Sequence, residues 1–134
     1  MIQEIKEIVE YSLYKIDCYS DDALALVVRT GMAESGYRAL RGYGKGNPAI
    51  GFWQIEPATM HDMIDNYLKY RKKYIKALQE LGMQFKGDDI EMSVMSNLAV
   101  QAALCRIHYR RDKDPLPSWD NLEAQGRYWK KVYN

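Results

Sequence analysis

Apolar residues recur every three to four positions along most of the chain, which is the spacing of one face of an α-helix. A first helix is predicted over about residues 2–16, from the apolar positions Ile2, Ile5, Val9 and Leu13. Ser20 is a suitable N-cap for a second helix, and Gly36 is placed to end it. A third helix is predicted from Pro57 to Leu81, where Gly82 follows.

The remaining pattern predicts two more helices and one segment that cannot be helical. The fourth helix, with apolar positions from Ile90 to Cys105, is apolar around much of its circumference and is expected to be the buried central one. Ser118 is expected to cap a last helix that reaches Tyr133. Residues 36–52 contain five glycines and a proline, which exclude a regular helix. Gly51–Ile55, which begins inside this segment and extends beyond it, is predicted to form a short strand.

Length and charge add two points. At 134 residues the chain is long enough for one domain, residues 1–134, and no repeat or linker divides it. The net charge is +1, but residues 1–68 carry 6 basic and 10 acidic side chains, whereas residues 69–134 carry 13 and 8. This asymmetry is compatible with an anionic polymer as partner, although a solvated helix face is the commoner explanation.

The chain opens with an amphipathic, acidic segment, so neither a signal peptide nor a membrane anchor is predicted. Synthesis in a reducing cytoplasm is expected, and Cys18 and Cys105 then need not be bonded to each other. Cys105 is expected to be a small core residue. His61 and His108 are far apart and lack the spacing of metal ligands, so no metal and no cofactor is predicted.

One acid is distinguished by its position. Glu34 falls at the predicted end of the second helix, where the partial negative charge of the helix terminus disfavours an ionised carboxylate. Burial beside Met32 and the Phe52-Trp53 pair would act in the same direction. A carboxylic acid that keeps its proton can donate it to a glycosidic oxygen. Taken singly, such a glutamate is usually solvated and such an aromatic pair usually belongs to the core. The hypothesis that Glu34 acts as an acid therefore depends on the ordered combination of these features.

That combination resembles the lysozyme-like superfamily of peptidoglycan-cleaving enzymes, in particular soluble lytic transglycosylases and related phage lysozymes. The matching features are Glu34-Ser35 at a helix end, Gly51-Phe52-Trp53-Gln54-Ile55 with Thr59 following, the apolar helix from Asn97 to Tyr109, and the pair Tyr133-Asn134. The resemblance covers roughly residues 20–134. It implies a mainly α fold of the α+β lysozyme-like kind, with about five helices and a small β-hairpin beside the active-site cleft.

The resemblance also implies roles for individual residues. Glu34 is the expected general acid, which protonates the oxygen between N-acetylmuramic acid and N-acetylglucosamine. Glu56 is the nearest candidate for the second carboxylate of a hydrolase, with Asp62 and Asp65 as further candidates. If Glu56 only caps the third helix, a transglycosylase remains, in which Glu34 also acts as base and a 1,6-anhydro product forms. The residues expected to contact substrate are Ser35, Gly51, Trp53, Gln54 and Tyr133.

The expected function is therefore peptidoglycan cleavage by a monomeric endolysin, made in the host cytoplasm and acting on the bacterial wall in the periplasm after release. A virion-associated wall-degrading domain would look similar. The expected partners are peptidoglycan glycan strands, with no nucleic acid and no membrane insertion. Two alternatives stay open: a catalytically inactive glycan-binding module of the same fold, and a helical nucleic-acid-binding protein that uses the basic run Lys69–Lys76.

Overall fold

The computed structural model describes residues 1–38 and 48–134, and the glycine-rich residues 39–47 lie outside these ranges. The described residues form seven α-helices, which are α1 (Ile2–Lys15), α2 (Asp21–Glu34), α3 (Pro57–Asn66), α4 (Lys72–Leu81), α5 (Ile90–Met95), α6 (Leu98–Arg110) and α7 (Leu122–Tyr128). A 3-10 turn (Leu68–Tyr70) separates α3 from α4. A π-helical turn (Trp129–Tyr133) continues α7. No helix in the described ranges has the length and apolarity needed to cross a membrane.

α6 is the central helix, as its apolar pattern predicts. Nine of its 13 residues are buried, and it packs against α1, α2, α4, α5 and the π-helical turn. Cys105 has no exposed surface and, like Cys18, is a free thiol. The hydroxyls of Tyr109 and Thr30 share a hydrogen bond of 2.7 Å, and the Tyr109 ring stacks 5.3 Å from that of Tyr133. α6 therefore holds the carboxyl end of α2 close to the π-helical turn.

The first two helices form where the pattern predicts them. α1 buries Ile5, Val9 and Leu13 on one side. Ser20 caps α2 as expected, because its Oγ accepts a hydrogen bond of 3.0 Å from the backbone N–H of Ala23. α2 therefore starts after its cap, Ser20, and ends at Glu34, which lies at the helix terminus.

The prediction of one continuous third helix is wrong. α3 ends at Asn66, and Tyr67 and Arg71 have non-helical backbone angles, with φ of −134° and −131°. The Arg71 guanidinium lies 3.6 Å from the centre of the Tyr67 ring and donates to the Tyr67 carbonyl oxygen at 3.0 Å. The same carbonyl also accepts the Tyr70 N–H at 3.3 Å, so the 3-10 turn and Arg71 together replace the helical partner that the interruption removes.

The fourth predicted helix is also two helices, α5 and α6. Asn97 separates them, because its Oδ1 accepts from the Val100 N–H at 3.0 Å and its Nδ2 donates to the Leu81 carbonyl at 2.7 Å. Asparagine favours N-cap positions, where its side chain replaces a backbone partner. The buried Gln101 then donates through Nε2 to the Val94 carbonyl at 2.8 Å, which satisfies the end of α5.

The predicted strand Gly51–Ile55 and its β-hairpin are not found in the described residues, so the α+β assignment is wrong for this part of the chain. Ile50 and Ile55 exchange two backbone hydrogen bonds of 2.8 and 3.0 Å, but this bridge is isolated. Gly51 and Gln54 have φ of +76° and +50°. These left-handed values reverse the chain direction instead of extending it. Residues 50–55 are thus a tight turn, which we call the 50–55 turn.

The last helix begins later than predicted. α7 starts at Leu122, and Asn121 caps it by accepting from the Ala124 N–H at 3.0 Å. The predicted cap, Ser118, donates its hydroxyl to a neighbouring carboxylate instead. The predicted end is correct, because the π-helical turn extends the helix to Tyr133.

Candidate functional site

The site begins where α2 ends. Glu34 is the last residue of α2 and is partly buried, and Gly36 and Tyr37 follow with φ of +62° and +60°, which turns the chain away. The Ser35 hydroxyl donates to the Phe52 carbonyl at 2.6 Å and accepts from the Tyr37 N–H at 3.0 Å. Ser35 therefore ties the end of α2 to the 50–55 turn and fixes the position of Glu34 relative to that turn.

The π-helical turn supplies hydrogen-bond donors to the Glu34 carboxyl. Trp129 Nε1 donates to Glu34 Oε2 at 2.9 Å, and Asn134 Nδ2 lies 3.4 Å from the same oxygen. The Asn134 N–H bonds the Trp129 carbonyl at 2.9 Å, the five-residue spacing of a π-helix. Such turns often occur at functional sites. Here the turn brings two side chains that are five residues apart onto one carboxylate oxygen.

A pocket of about 180 Å³ opens beside this carboxyl, and we call it the Glu34 pocket. Its lining residues are Glu34, Gln54, Ile55, Glu56, Thr59, His108, Tyr133 and Asn134. It brings together four of the residues predicted for the site, which are Glu34, Glu56, Gln54 and Tyr133. A larger groove of about 480 Å³ lies between α1, α2 and Trp119, but its lining holds only one carboxyl group, Asp21. The smaller pocket therefore has the richer chemistry.

Gln54 belongs to the 50–55 turn, and Glu56 is the residue directly after it. Gln54 Nε2 donates to the Gly51 carbonyl at 2.8 Å, which fixes the amide and leaves its Oε1 to face the pocket. Glu56 occupies the N-cap position of α3, yet its side chain makes no capping hydrogen bond. The interpretation of Glu56 as only a helix cap is therefore not supported by the geometry.

Three residues expected to contact substrate do not line the Glu34 pocket. Trp53 has no exposed surface and donates from Nε1 to the Val27 carbonyl at 2.8 Å. A fully buried ring cannot stack on a sugar, so the expected stacking role of Trp53 is wrong. Ser35 is only 4% exposed and Gly51 is buried. These residues shape the turn that carries Gln54, and they do not line the pocket.

Tyr133 lines the pocket, but its hydroxyl is engaged by the backbone. It donates to the Trp53 carbonyl at 2.6 Å, which joins the π-helical turn to the 50–55 turn. Burial raises the pKa of the Tyr133 hydroxyl well above its usual range, so the group remains a donor at any physiological pH. The contacts to Glu34 come from Trp129 and Asn134, which both reach Oε2.

His108, near the end of α6, is a pocket residue that the sequence did not single out. Its Nδ1 lies 3.0 Å from Arg111 Nη2, and Arg111 Nη1 donates to Asp62 Oδ2 at 2.6 Å. Its ring meets that of Tyr133 edge-on at 5.0 Å. Burial, followed by the nearby Arg111 charge, lowers the pKa of His108 to about 4. His108 is therefore neutral at the pH of most cellular compartments.

The further candidates for a second carboxylate lie elsewhere. Asp62 is held by Arg111 and Asn66, and the hydrogen bond from Arg111 is the main cause of its lowered pKa. Asp65 is exposed and does not line the Glu34 pocket. Of the proposed acids, only Glu34 and Glu56 share the pocket. Within the described ranges, no three His, Cys, Asp or Glu side chains are grouped to hold a metal ion.

The low pKa of His108 predicts a pH-dependent stability. In the unfolded chain His108 has its usual pKa near 6.5, so between pH 6.5 and about 4 the unfolded state binds a proton that the folded state does not. Stability is then present above pH 6.5 and is lost as the pH falls toward 4, by up to about 3 kcal/mol. Urea unfolding at several pH values should show a shallower loss for His108→Gln than for the parent. The exposed His61 serves as control, and an equal effect of His61→Gln would contradict the prediction.

Ser35→Ala should loosen the link between α2 and the 50–55 turn. The change removes a buried hydroxyl that donates across this junction to the Phe52 carbonyl and accepts locally from the Tyr37 N–H, which should cost about 1–3 kcal/mol in unfolding free energy. Ser96→Ala is the matched control, because that exposed hydroxyl bonds only its own helix turn and should change stability by about 0.5 kcal/mol or less. Equal losses in the two variants would remove the assigned role of Ser35.

Comparison of the chain with models of protein families, with curated proteins and with solved structures gives no match. Its function is therefore argued from the geometry and chemistry of the Glu34 pocket.

Proposed function

We propose that this protein cleaves the β-1,4 bond between N-acetylmuramic acid and N-acetylglucosamine in peptidoglycan, with Glu34 as the general acid. The observation that carries the proposal is the composition of the Glu34 pocket, where two carboxyl groups, two amides and a tyrosine meet from three separate parts of the chain. The order of motifs along the chain, which resembles that of lysozyme-like peptidoglycan-cleaving enzymes, supports the same function. The proposed setting is that of a phage endolysin acting as a monomer on the bacterial wall.

The hydrogen bonds to Glu34 indicate which of its two carboxyl oxygens would donate a proton. Trp129 and Asn134 both direct N–H groups at Oε2. In a protonated carboxyl, the oxygen that accepts such bonds is the carbonyl oxygen, because the hydroxyl oxygen carries the proton. In the protonated form of Glu34 the hydrogen would therefore lie on Oε1. A glycosidic oxygen within hydrogen-bond reach of Oε1 would receive it as the bond breaks.

Glu56 supports a hydrolytic route. It lines the same pocket as Glu34, and its side chain is not used to cap α3. A second carboxylate across a glycosidic bond can activate water or attack the sugar carbon directly. We therefore favour Glu56 as the partner of Glu34, with 1,6-anhydro formation by Glu34 alone as the competing route.

Gln54 provides recognition of the substrate amide. One hydrogen of its Nε2 is engaged by the Gly51 carbonyl, so its Oε1 and the second Nε2 hydrogen are left for a ligand. An amide oxygen accepts the N–H of an N-acetyl group, which both sugars of peptidoglycan carry. The proposed site therefore combines an acid, a second carboxylate and an N-acetyl contact within one small pocket.

Digestion of purified peptidoglycan tests the proposal. The parent protein should release soluble muropeptides, and mass spectrometry should find reducing sugar ends if Glu56 takes part as proposed. Ends lighter by one water would assign the anhydro route and remove Glu56 from the mechanism. Peptidoglycan that remains insoluble, with protein bound to it, would point to an inactive glycan-binding module. If the protein neither binds nor digests peptidoglycan, the proposed function is rejected.

A further inference from the structure

The chain Asp62–Arg111–His108 fixes which nitrogen of His108 carries the proton. Arg111 Nη1 is held by Asp62 Oδ2 at 2.6 Å, and its Nη2 lies 3.0 Å from His108 Nδ1. A guanidinium can only donate, so Nδ1 must be the acceptor. In a neutral imidazole the other nitrogen, Nε2, then bears the hydrogen.

With Nδ1 engaged by Arg111, Nε2 is the ring nitrogen of His108 that remains for a ligand in the Glu34 pocket. His108 lines that pocket together with Glu34 and Gln54. Nε2 makes no hydrogen bond to any described residue, and it is not among the enclosed polar atoms of the described residues that lack a partner. A ring nitrogen that is neither bonded nor enclosed is open to a ligand. The edge-on contact with Tyr133, at 5.0 Å, limits rotation of the ring away from this position.

We propose that His108 is a substrate-binding residue, which donates a hydrogen bond from Nε2 to an uncharged oxygen of the glycan in the Glu34 pocket. This inference rests on the proposed function and adds a contact that it does not include. A neutral donor suits a sugar hydroxyl or an N-acetyl carbonyl. Because the ring is kept uncharged by burial and by Arg111, it also adds no cation beside Glu34, where a cation would favour the ionised acid.

The groups around His108 define the charge environment that any pH effect must include. Arg111 and, behind it, Asp62 face the Nδ1 side of the ring. Glu34, Glu56 and Tyr133 share the pocket on the other side. Arg111 sets the tautomer and is thus a positioning residue. Its replacement by Met should free Nδ1 and allow both neutral tautomers to be populated.

Nitrogen NMR of the His108 ring tests the tautomer directly. At pH 6.5–7 the parent should show Nε2 protonated and Nδ1 unprotonated, and Arg111→Met should show averaged signals from both forms. Protonation at Nδ1 in the parent would overturn the proposal. This measurement needs no glycan, so its result does not depend on the proposed function.

Binding of an N-acetylglucosamine tetramer, measured by NMR titration with Glu34→Gln present in every protein to prevent turnover, tests the contact. His108→Phe, which keeps a ring but has no donor, should weaken binding roughly tenfold. His108→Gln keeps an N–H near the position of Nε2 and should stay within about threefold of the parent, as should the exposed control His61→Gln. Equal binding by His108→Phe and the parent would overturn this proposal alone. The proposed function, and this contact with it, would be rejected by two results together. The protein that carries only Glu34→Gln would not bind the tetramer, and the unsubstituted protein would not digest peptidoglycan.

Discussion

Glu34→Gln should reduce the rate of peptidoglycan digestion by about 10²–10⁴-fold, the usual contribution of a positioned general acid. The substitution removes the transferable proton but keeps an oxygen to accept the hydrogen bonds from Trp129 and Asn134. The fold and the affinity for glycan should therefore be retained. Turbidity loss of a wall suspension measures the rate, and thermal unfolding with a glycan titration checks the other two properties.

The controls separate Glu34 from the other acids. Glu123→Gln changes a side chain that is 89% exposed and lies outside the pocket, so its rate should equal that of the parent. Glu56→Gln should approach the loss of Glu34→Gln if two carboxylates act together, and should stay close to the parent if Glu34 acts alone. Digestion at the parent rate by Glu34→Gln would remove the assigned mechanism.

Trp129 explains why the sequence predicted the acid better than its surroundings. Glu34 is marked by local signals, namely an apolar helix that ends and the aromatic turn that follows. The Trp129 donor reaches it across 95 residues through a π-helical turn. No local pattern distinguishes such a turn from an ordinary α-helix, so the sequence does not indicate that Trp129 contacts Glu34. His108 was missed for a similar reason, since Asp62 on α3, which holds its partner Arg111, and Tyr133 in the π-helical turn are both distant in sequence.

The helices illustrate the same division between local and tertiary information. The periodicity correctly predicts α1, α2 and the central position of α6, because each buries an apolar face. It fails at Tyr67 and Asn97, where side chains satisfy the backbone groups that a break releases. It fails again in the 50–55 turn, where apolar residues suggested a strand. There the left-handed backbone at Gly51 and Gln54 decides the conformation.

Gly51→Ala should be among the most destabilising substitutions in the described residues, at about 3–5 kcal/mol of unfolding free energy. Gly51 has φ of +76°, and a Cβ built there would lie within 2.2 Å of Gln101 Oε1. The Gln101 amide cannot easily move, because it accepts from the Phe52 N–H at 3.0 Å and donates to the Val94 carbonyl at 2.8 Å. Relief of the overlap must therefore break these bonds or displace the turn that carries Gln54. Urea unfolding measures the loss.

Two other glycines and one double substitution divide this cost into its parts. Gly87 has φ of +82° with nothing near its Cβ position, so Gly87→Ala should cost only the backbone strain, about 1–2 kcal/mol. Gly126 lies within α7 with open space around it, and Gly126→Ala should stabilise by about 0.5–1 kcal/mol.

If Gly51→Ala cannot be purified folded, Gln101→Ala provides a background in which the overlap is gone. There, Gly51→Ala should cost no more than Gly87→Ala does in the parent. A cost for Gly51→Ala that matches Gly87→Ala even with Gln101 present would mean that the Gln101 amide does not hold the turn. The position of Gln54 in the Glu34 pocket would then need another cause.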